Sequence, residues 1–215
     1  MLPEIKPEEK TYIDGIFGEQ TENFLEQTRT FLTILLEENE KHNLIGENTV
    51  ATIWQRHILD SLQLTSYLAN STSEVVIDLG SGGGLPSIPL AIAMKTLGIN
   101  KHFILVEKSP VKATFLRNTL AKLQLDGTIF NDVINKTNFQ MLAGGKKAII
   151  TSRAFKSVAE ILEITTDFVK EMVLLKGEKW VEEIEETQNK HLLGEWQFDT
   201  RQSITGVGVV LWMYK

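Results

Sequence analysis

The feature that most constrains this chain is a glycine-rich turn that directly follows a short apolar segment. Residues 75–79 have the apolar character of a buried strand, and Gly80, Gly82 and Gly84 come immediately afterwards. Glycine adopts positive φ readily, and without a Cβ it lets the backbone approach a ligand closely. Ligands bind at the carboxyl ends of strands in open α/β sheets, so we predict a ligand-binding loop at residues 78–84.

The spacing of the glycines excludes two common nucleotide-binding loops. In the dinucleotide fingerprint G-x-G-x-x-G, the third glycine would fall at Leu85 or at Ser87, depending on the register. A P-loop requires Gly-Lys-Ser/Thr after the glycines, and that sequence does not follow them. The remaining pattern, D-x-G-x-G-x-G, resembles the first motif of class I methyltransferases. The alternative is a purely structural glycine turn.

An acidic residue ends the next predicted strand. Residues 103–106 are apolar, and Glu107 follows them. A carboxylate has two acceptor oxygens, which match the two adjacent hydroxyl donors of a ribose. The predicted cofactor site therefore joins Glu107 to the preceding loop, whose contributing residues are Asp78, Gly80, Ser81, Gly82, Gly84 and Leu85.

The rest of the chain has the pattern of an α/β protein. Apolar runs of strand length alternate with helical stretches, which is typical of a parallel sheet with crossover helices. We predict strands at 75–79, 103–107, 128–131, 148–151 and 172–176, helices at 86–97, 110–123, 157–169 and 181–191, and a C-terminal antiparallel hairpin. This plan is that of the Rossmann-like class I methyltransferase fold, with a mostly parallel seven-stranded sheet.

Two amphipathic helices precede the first strand. Apolar residues recur at helical spacing from residue 24 to 36 and again from 49 to 68. We predict an N-terminal helical extension at residues 1–70, packed on a methyltransferase domain at residues 71–215. Disorder is expected only near the N-terminus.

The composition narrows the class of protein further. The chain of 215 residues has a formal net charge of -6 and no cysteine, which excludes disulfides, thiolate nucleophiles and Cys-based zinc sites. His42, His102 and His191 have no metal-type companions, so no metal is expected. Neither a signal-type region nor a membrane-length apolar segment is present, so we expect a cytoplasmic protein without a membrane partner. The negative charge argues against broad binding of naked nucleic acid but permits a local basic face.

The glycine loop and three other segments resemble one family. Residues 78–92 are similar to the loop of the bacterial 16S ribosomal RNA guanine-N7 methyltransferases, formerly called glucose-inhibited division protein B. Residues 43–61, 108–117 and 150–155 resemble further elements of that family, in the same order. The resemblance implies S-adenosyl-L-methionine as cofactor and a guanine of 16S rRNA in the small ribosomal subunit as substrate. We expect a monomer.

Four basic residues are candidates for functional roles, and the resemblance implies such a role for Arg153. Arg153 follows the fourth strand and could clamp a carboxylate or phosphate, so a cofactor-site or catalytic role is implied; a surface arginine paired with an acid is the alternative. Arg56 and His57 are candidates for the rim of the cofactor site or for RNA contact, although a helical Arg56–Asp60 pair would also explain the spacing. Lys176 ends the fifth strand and is either an RNA contact or a solvated lysine.

Two positions depart from the family pattern. Ser87 stands where the family usually has glycine, at the start of the helix after the loop. Residues 131–135 replace an Arg-x-Glu-Glu stretch, which leaves a role of that arginine in RNA contact open. We expect the adenine of the cofactor to be read there by main-chain groups of Val133 and Ile134.

The chemistry of the expected acceptor predicts a site without a general base. N7 of guanine is a hydrogen-bond acceptor with a free lone pair and no proton to remove. Most of the catalysis should then come from holding the reacting atoms in line. Two other functions remain open: a small-molecule methyltransferase, which would suit the acidic net charge, and a cofactor-binding protein without catalysis, which would suit the missing base.

Overall fold

The computed structural model describes residues 2–143, 145–165 and 167–215, and within them seven strands form one sheet. The strand order is β3-β2-β1-β4-β5-β7-β6. Strands β1 to β5 are parallel, whereas β7 is antiparallel to both β5 and β6. The bounds are β1 Val75–Leu79, β2 His102–Val106, β3 Gly127–Phe130, β4 Ala148–Arg153, β5 Glu171–Lys176, β6 Gln197–Gln202 and β7 Val209–Tyr214.

This topology confirms the predicted fold class, and the five predicted parallel strands are present to within two residues at each end. All five residues of β1 are buried, as expected for a central parallel strand covered on both faces. The chain order of the strands reverses between β1 and β4, the neighbouring strands at the centre of the sheet. A crevice forms above such a reversal, at the carboxyl ends of the strands.

Helices follow the strands on both faces of the sheet. Their bounds are α5 Ser87–Thr96, α6 Pro110–Leu123, α7 Lys136–Ala143, α8 Val158–Thr165 and α9 Trp180–Asn189. The predicted helix 157–169 ends earlier, at Thr165, and its continuation includes residue 166, which lies outside the described residues. The helix α7 was not predicted. It begins after Asn135, whose side-chain oxygen accepts hydrogen bonds from the main-chain N–H groups of Thr137 (3.0 Å) and Asn138 (3.1 Å).

The N-terminal region is ordered, which shows that the expectation of disorder near the N-terminus was wrong. It forms α1 (Pro7–Phe17) and α2 (Thr21–His42). Phe17 is buried and stacks on Phe24 of α2, with ring centroids 4.2 Å apart. The indole N–H of Trp54 donates to the carbonyl oxygen of Pro3 at 2.9 Å, which holds the first residues against the following segment.

The second predicted N-terminal helix, 49–68, is divided into shorter pieces. A 3₁₀ helix covers Glu47–Thr52 and a π-helical turn covers Trp54–Leu59. Two short α-helices follow, α3 (Asp60–Leu62) and α4 (Thr65–Asn70). π-Helical turns inside helical stretches are frequent at functional sites, and this one contains two of the candidate RNA-contact residues.

The N-terminal helices share a hydrophobic core with one face of the sheet. Ile13, Phe31 and Leu35 belong to the same cluster of buried side chains as Val76 and Phe103 of the sheet. Burial of each large apolar side chain contributes about 1.5–3 kcal/mol. The opposite face of the sheet packs in a second cluster with α7, α8 and α9. Among the described residues, no helix has the length and apolar character needed to cross a membrane.

Candidate active site

A cleft of about 720 Å³ lies at the carboxyl ends of the parallel strands, beside the reversal between β1 and β4. The glycine loop forms one part of its wall. The ends of β2 and β4 and the segment after β3 form the rest. The lining residues are Leu44, Gly80, Ser81, Gly82, Gly83, Leu85, Val106, Glu107, Lys108, Lys112, Asp132, Val133, Ile134, Arg153, Ala154, Phe155 and Lys156. Eight of the ten predicted cofactor-site residues line the cleft.

The glycine loop depends on glycine for both its conformation and its packing. Gly80, Gly82 and Gly84 have φ values of 76°, 54° and 82°, a region that L side chains rarely adopt. A Cβ at Gly80 would overlap the ring of Phe155, and a Cβ at Gly84 would lie 2.5 Å from Cγ1 of Ile88. The loop is therefore closely packed on one side and presents bare backbone to the cleft on the other.

Glu107 is oriented by the main chain around it. One carboxylate oxygen accepts the N–H of Gly82 at 2.9 Å, and the other accepts the N–H of Ser109 at 2.8 Å. The residue is 7% exposed. Each carboxylate oxygen can accept a further hydrogen bond, because two donors occupy about half of its acceptor sites. The side chain is held in place for a pair of additional donors.

The segment after β3 brings Val133 and Ile134 to the cleft. Val133 is 61% exposed, whereas Ile134 is buried. The N–H of Val133 donates to the side chain of Asp132 at 2.6 Å, and its carbonyl oxygen accepts from Nδ2 of Asn138 at 2.8 Å. A contact from adenine to the N–H of Val133 would compete with the Asp132 hydrogen bond, whereas the carbonyl oxygen has a second lone pair that can accept another donor. The reading of adenine by this segment stays a prediction.

Arg153 joins the end of β4 to the N-terminal segment. Its guanidinium donates to the carbonyl oxygen of Arg56 at 2.9 Å and contacts Nδ1 of His57 at 2.8 Å and Oδ2 of Asp60 at 3.4 Å. The side chain is 19% exposed, and burial lowers the pKa of the guanidinium while Asp60 raises it. Arg153 therefore both lines the cleft and holds a segment almost a hundred residues distant in the sequence.

The ring of His57 is neutral and links Arg153 to Thr49. Burial, together with the positive charges of Arg153 and Arg56, lowers the pKa of His57 to about 3. Because arginine only donates, Nδ1 must accept, and Nε2 carries the proton that it donates to Oγ1 of Thr49 at 2.8 Å. Thr49 in turn donates to the carbonyl oxygen of Gly46 at 2.6 Å. Each member has one consistent donor or acceptor role, which makes the network rigid.

Asp78 lies beneath the glycine loop and is fully buried. Within the described part of the chain, neither of its carboxylate oxygens has a hydrogen-bond partner. Burial raises the pKa of Asp78 to about 7. The hydroxyls of Ser81 and Ser87 and the charge of Arg153 oppose this rise in pKa, although neither hydroxyl is aligned for a hydrogen bond to the carboxylate. Ser87, the departure from the family pattern, thus adds a buried hydroxyl beside Asp78.

The three candidate RNA-contact residues occupy different environments. Arg56 is exposed, whereas His57 is 5% exposed and both of its ring nitrogens are engaged. The Lys176 side chain is 7% exposed, with its amino group 2.6 Å from Glu183 and 2.9 Å from the carbonyl oxygen of Lys156. Lys176 is therefore not a solvated lysine. RNA contact by these residues stays a prediction.

Other cleft residues were not assigned a role from the sequence. Lys108, Lys112 and Phe155 were placed only in the segments that resemble the family, 108–117 and 150–155. For Lys108 and Phe155, the position two residues after the end of a strand is the signal that could have identified them, because strand ends meet at one edge of the sheet. The described residues contain no cluster of three or more His, Cys, Asp or Glu side chains that could hold a metal ion.

The strand order, the glycine loop after β1 and the acidic residue after β2 define a protein of the Rossmann-like class I methyltransferase fold. The chain belongs to the GidB family, described as rRNA small subunit methyltransferase G, whose sequence model matches residues 24–204. It is 36% identical over 192 residues to the ribosomal RNA small subunit methyltransferase G of Rickettsia prowazekii, which covers 87% of this chain and 92% of the relative. The protein of the same name from Dinoroseobacter shibae is 32% identical over 176 residues, 80% of this chain and 85% of the relative.

Solved structures support the fold. An O-methyltransferase from Bacillus cereus, solved in complex with SAH, superposes with a TM-score of 0.58 at 13% identity, covering 86% of this chain and 91% of that chain. A methyltransferase from Geobacter sulfurreducens superposes with a TM-score of 0.57 at 17% identity, covering 100% of this chain and 98% of that chain. At these identities the similarity establishes the architecture alone.

Proposed function

We propose that this protein is an S-adenosyl-L-methionine-dependent methyltransferase that modifies N7 of a guanine in the 16S rRNA of the small ribosomal subunit. The observation that carries the proposal is the cleft where the bare glycine loop meets the preoriented carboxylate of Glu107, in a chain of the GidB family. The family relatives are named ribosomal RNA small subunit methyltransferase G. We further propose that the protein acts as a monomer in the cytoplasm.

The residues of the cleft fit this cofactor. A Cβ at Gly80 or Gly84 would collide with the side chain of Phe155 or Ile88, so the loop keeps its path beside the cleft only with glycine at these positions. Glu107 has acceptor capacity for a ribose diol, and Ile134 offers an apolar surface for a base. When bound, S-adenosyl-L-methionine supplies an electrophilic methyl group on a sulfonium. The buried carboxyl of Asp78 would lie beneath the loop that holds it.

The protein's part in the reaction is to bind and orient the reactants. Guanine N7 has a lone pair and no proton to lose, so no side chain is needed as a base. Holding two reactants in the correct geometry supplies about 7–11 kcal/mol of the barrier in well-oriented systems. Arg153 contributes by tying the N-terminal helices to the edge of the sheet where the cleft opens. In this proposal Arg153 is a positioning residue.

A local basic rim suits an RNA partner in spite of the formal net charge of -6. Lys108 and Lys112 line the cleft, as does Lys156, whose amino group is paired with Glu160 at 2.5 Å, and Arg56 is exposed on the adjoining N-terminal segment. Contacts of lysine and arginine with phosphate supply much of the affinity of proteins for nucleic acid. The rim offers a small positive surface for a shaped RNA site.

The proposal is tested with purified protein, labelled S-adenosyl-L-methionine and small subunits or 16S rRNA from a strain that lacks the gene. Mass analysis of the digested rRNA should detect 7-methylguanosine. Glu107→Gln should reduce the yield, whereas Glu185→Gln, an exposed glutamate on α9, should not. Label on another base only, or transfer only to small metabolites, would contradict the proposal.

A further inference from the structure

The chain turns sharply at the end of β4 in a conformation that is uncommon for its residue type. Ala154 has a φ of 51°, although it is not glycine. Residues in such sparsely populated conformations cluster at active sites and ligand clamps. Here the turn separates Arg153, which faces the N-terminal segment, from Phe155, which lies in the cleft. The strained conformation of Ala154 thus places the side chains of Arg153 and Phe155 in different parts of the structure.

Phe155 stands on the side of the glycine loop away from the nucleoside end of the cleft. Strand β1 lies between β2 and β4, so Glu107 is on one side of the loop and Phe155 on the other. The ring covers Gly80, and the side chain is only partly buried. Among the described residues that line the cleft, Phe155 is the only aromatic one. Because Glu107 marks the end of the cleft for the nucleoside, the end beside Phe155 is available for the methyl acceptor.

The segment that carries Phe155 is fixed on both sides. Before it, Arg153 is bonded to the N-terminal segment. After it, the carbonyl oxygen of Lys156 accepts from Lys176 at 2.9 Å, and the N–H of Val158 donates to Glu183 at 3.0 Å. Lys176 and Glu183 are themselves paired at 2.6 Å. A ring held in this way is preorganised for a ligand.

Methylation at N7 changes the charge of the acceptor base. The N7 lone pair forms the new N–CH₃ bond, the S–CH₃ bond breaks, and its electron pair remains on sulfur as a neutral thioether. No proton moves, and the single positive charge passes from the sulfonium to the guanine ring. The face of an aromatic ring attracts a cation, and bases stack readily on aromatic side chains.

We propose that Phe155 is a catalytic residue on whose face the acceptor guanine stacks, where it stabilises the positive charge that develops on the base. This assignment rests on the proposed function and specifies how the same cleft receives its substrate. The competing role for Phe155 is purely structural, as the wall that shapes the glycine loop at Gly80. The two roles differ in which ligand loses affinity when the ring is removed.

The test compares Phe155→Leu with Phe155→Tyr and with Phe198→Leu, a partly buried phenylalanine on the edge strand β6, away from the cleft. Calorimetry gives the Kd for S-adenosylhomocysteine, and initial rates on small subunits give kcat/KM. Phe155→Leu should lower kcat/KM about tenfold to a hundredfold and change the Kd by less than about threefold. Phe198→Leu should stay within about threefold of wild type, and Phe155→Tyr, which keeps an aromatic face, should have a kcat/KM at least about fivefold above that of Phe155→Leu.

A second measurement uses the protein saturated with S-adenosylhomocysteine and titrated with 7-methylguanosine monophosphate. Wild type should bind this nucleotide, whose base carries a positive charge, at least about fivefold more tightly than Phe155→Leu. Equal affinities, an unchanged kcat/KM, or a loss of S-adenosylhomocysteine affinity as large as the loss of activity would overturn the assignment. If wild type transferred no methyl to rRNA, the proposed function would fail, and the nucleotide titration would still decide the role of Phe155.

Discussion

Replacing Asp78 with asparagine should remove a pH dependence from the stability of the cofactor-free protein. Asp78 is buried beneath the glycine loop, and neither of its oxygens accepts a hydrogen bond from the described residues. Burial raises the pKa of this carboxyl group to about 7. Ser81, Ser87 and Arg153 lower it, and the charge of Glu107 raises it further. The protonated, neutral form is therefore favoured in the folded protein below neutral pH.

The size of this change in stability follows from the difference in the pKa of Asp78 between the folded and unfolded states. The folded protein retains the proton up to about pH 7, whereas an ordinary aspartate releases it near 3.8. The linked stability is therefore complete below about pH 4 and is lost as the pH rises through 7. At 1.36 kcal/mol per pKa unit, the full interval corresponds to about 4 kcal/mol, and the part between pH 5 and pH 8 to roughly 2–3 kcal/mol. Asparagine has a similar shape and no proton to release.

The assay is urea unfolding of both proteins at pH 5, 6, 7 and 8, followed by tryptophan fluorescence and circular dichroism. The quantity compared is the difference in free energy of unfolding between Asp78→Asn and wild type, in which the titration of all other groups cancels. This difference should move in favour of the variant by roughly 2–3 kcal/mol from pH 5 to pH 8. Asp132→Asn, at an exposed carboxylate of the same cleft, is the matched control. A difference that stays constant across this pH range would refute the reasoning.

Three further predictions concern Gly80, Glu107 and Arg153, which line the cleft. Gly80→Ala should raise the Kd for S-adenosylhomocysteine at least about tenfold, because the added Cβ would overlap the ring of Phe155. The control is Gly98→Ala, at a glycine with a similar φ of 69° but open space around it, and this variant should leave the Kd unchanged. Equal Kd values for the two variants would contradict this account. Glu107→Gln should raise the same Kd about tenfold through the loss of charge-assisted hydrogen bonds, and an unchanged Kd in calorimetry would argue against the ribose contact. Arg153→Met should lower the free energy of unfolding by about 2–3 kcal/mol, since it leaves the mostly buried carboxylate of Asp60 without its ion-pair partner. A loss below about 0.5 kcal/mol in urea titrations would show that the contacts of Arg153 with His57 and Asp60 do not stabilise the fold.

The parts of the fold that were predicted correctly are those with a strong local pattern. The strand β1 and the helix α6 have the predicted bounds because an apolar run and a capped, amphipathic stretch specify them within a few residues. The positive φ values of Gly80, Gly82 and Gly84 are likewise local, since only glycine adopts them readily. The family resemblance covered the same segments, and the GidB match confirms it.

The elements of the fold that the sequence did not predict depend on contacts with residues that are distant in the sequence. The helix α1 has few apolar residues of its own and is ordered because α2 and Trp54 receive its buried face and the residues before it. The stretch 49–68 has helical periodicity, yet it is divided into 3₁₀, π and short α turns. Trp54, Gln63 and Tyr67 within it contact Pro3, Ile204 and Trp212, which are distant in the sequence. Tertiary contacts commonly override local propensity in this way.

The glycine loop, the acidic residue after β2 and the alternation of strands and helices were determined by the sequence alone, because each is a local preference of the backbone or a fixed interval along the chain. Only the tertiary structure decided that Arg153 holds His57 and Asp60, that the Asp78 carboxylate is buried with no hydrogen-bond partner among the described residues, and that Phe155 lines the cleft. The physical reason is that the charge state and orientation of a side chain depend on which neighbours exclude water from it. Those neighbours are brought together by folding.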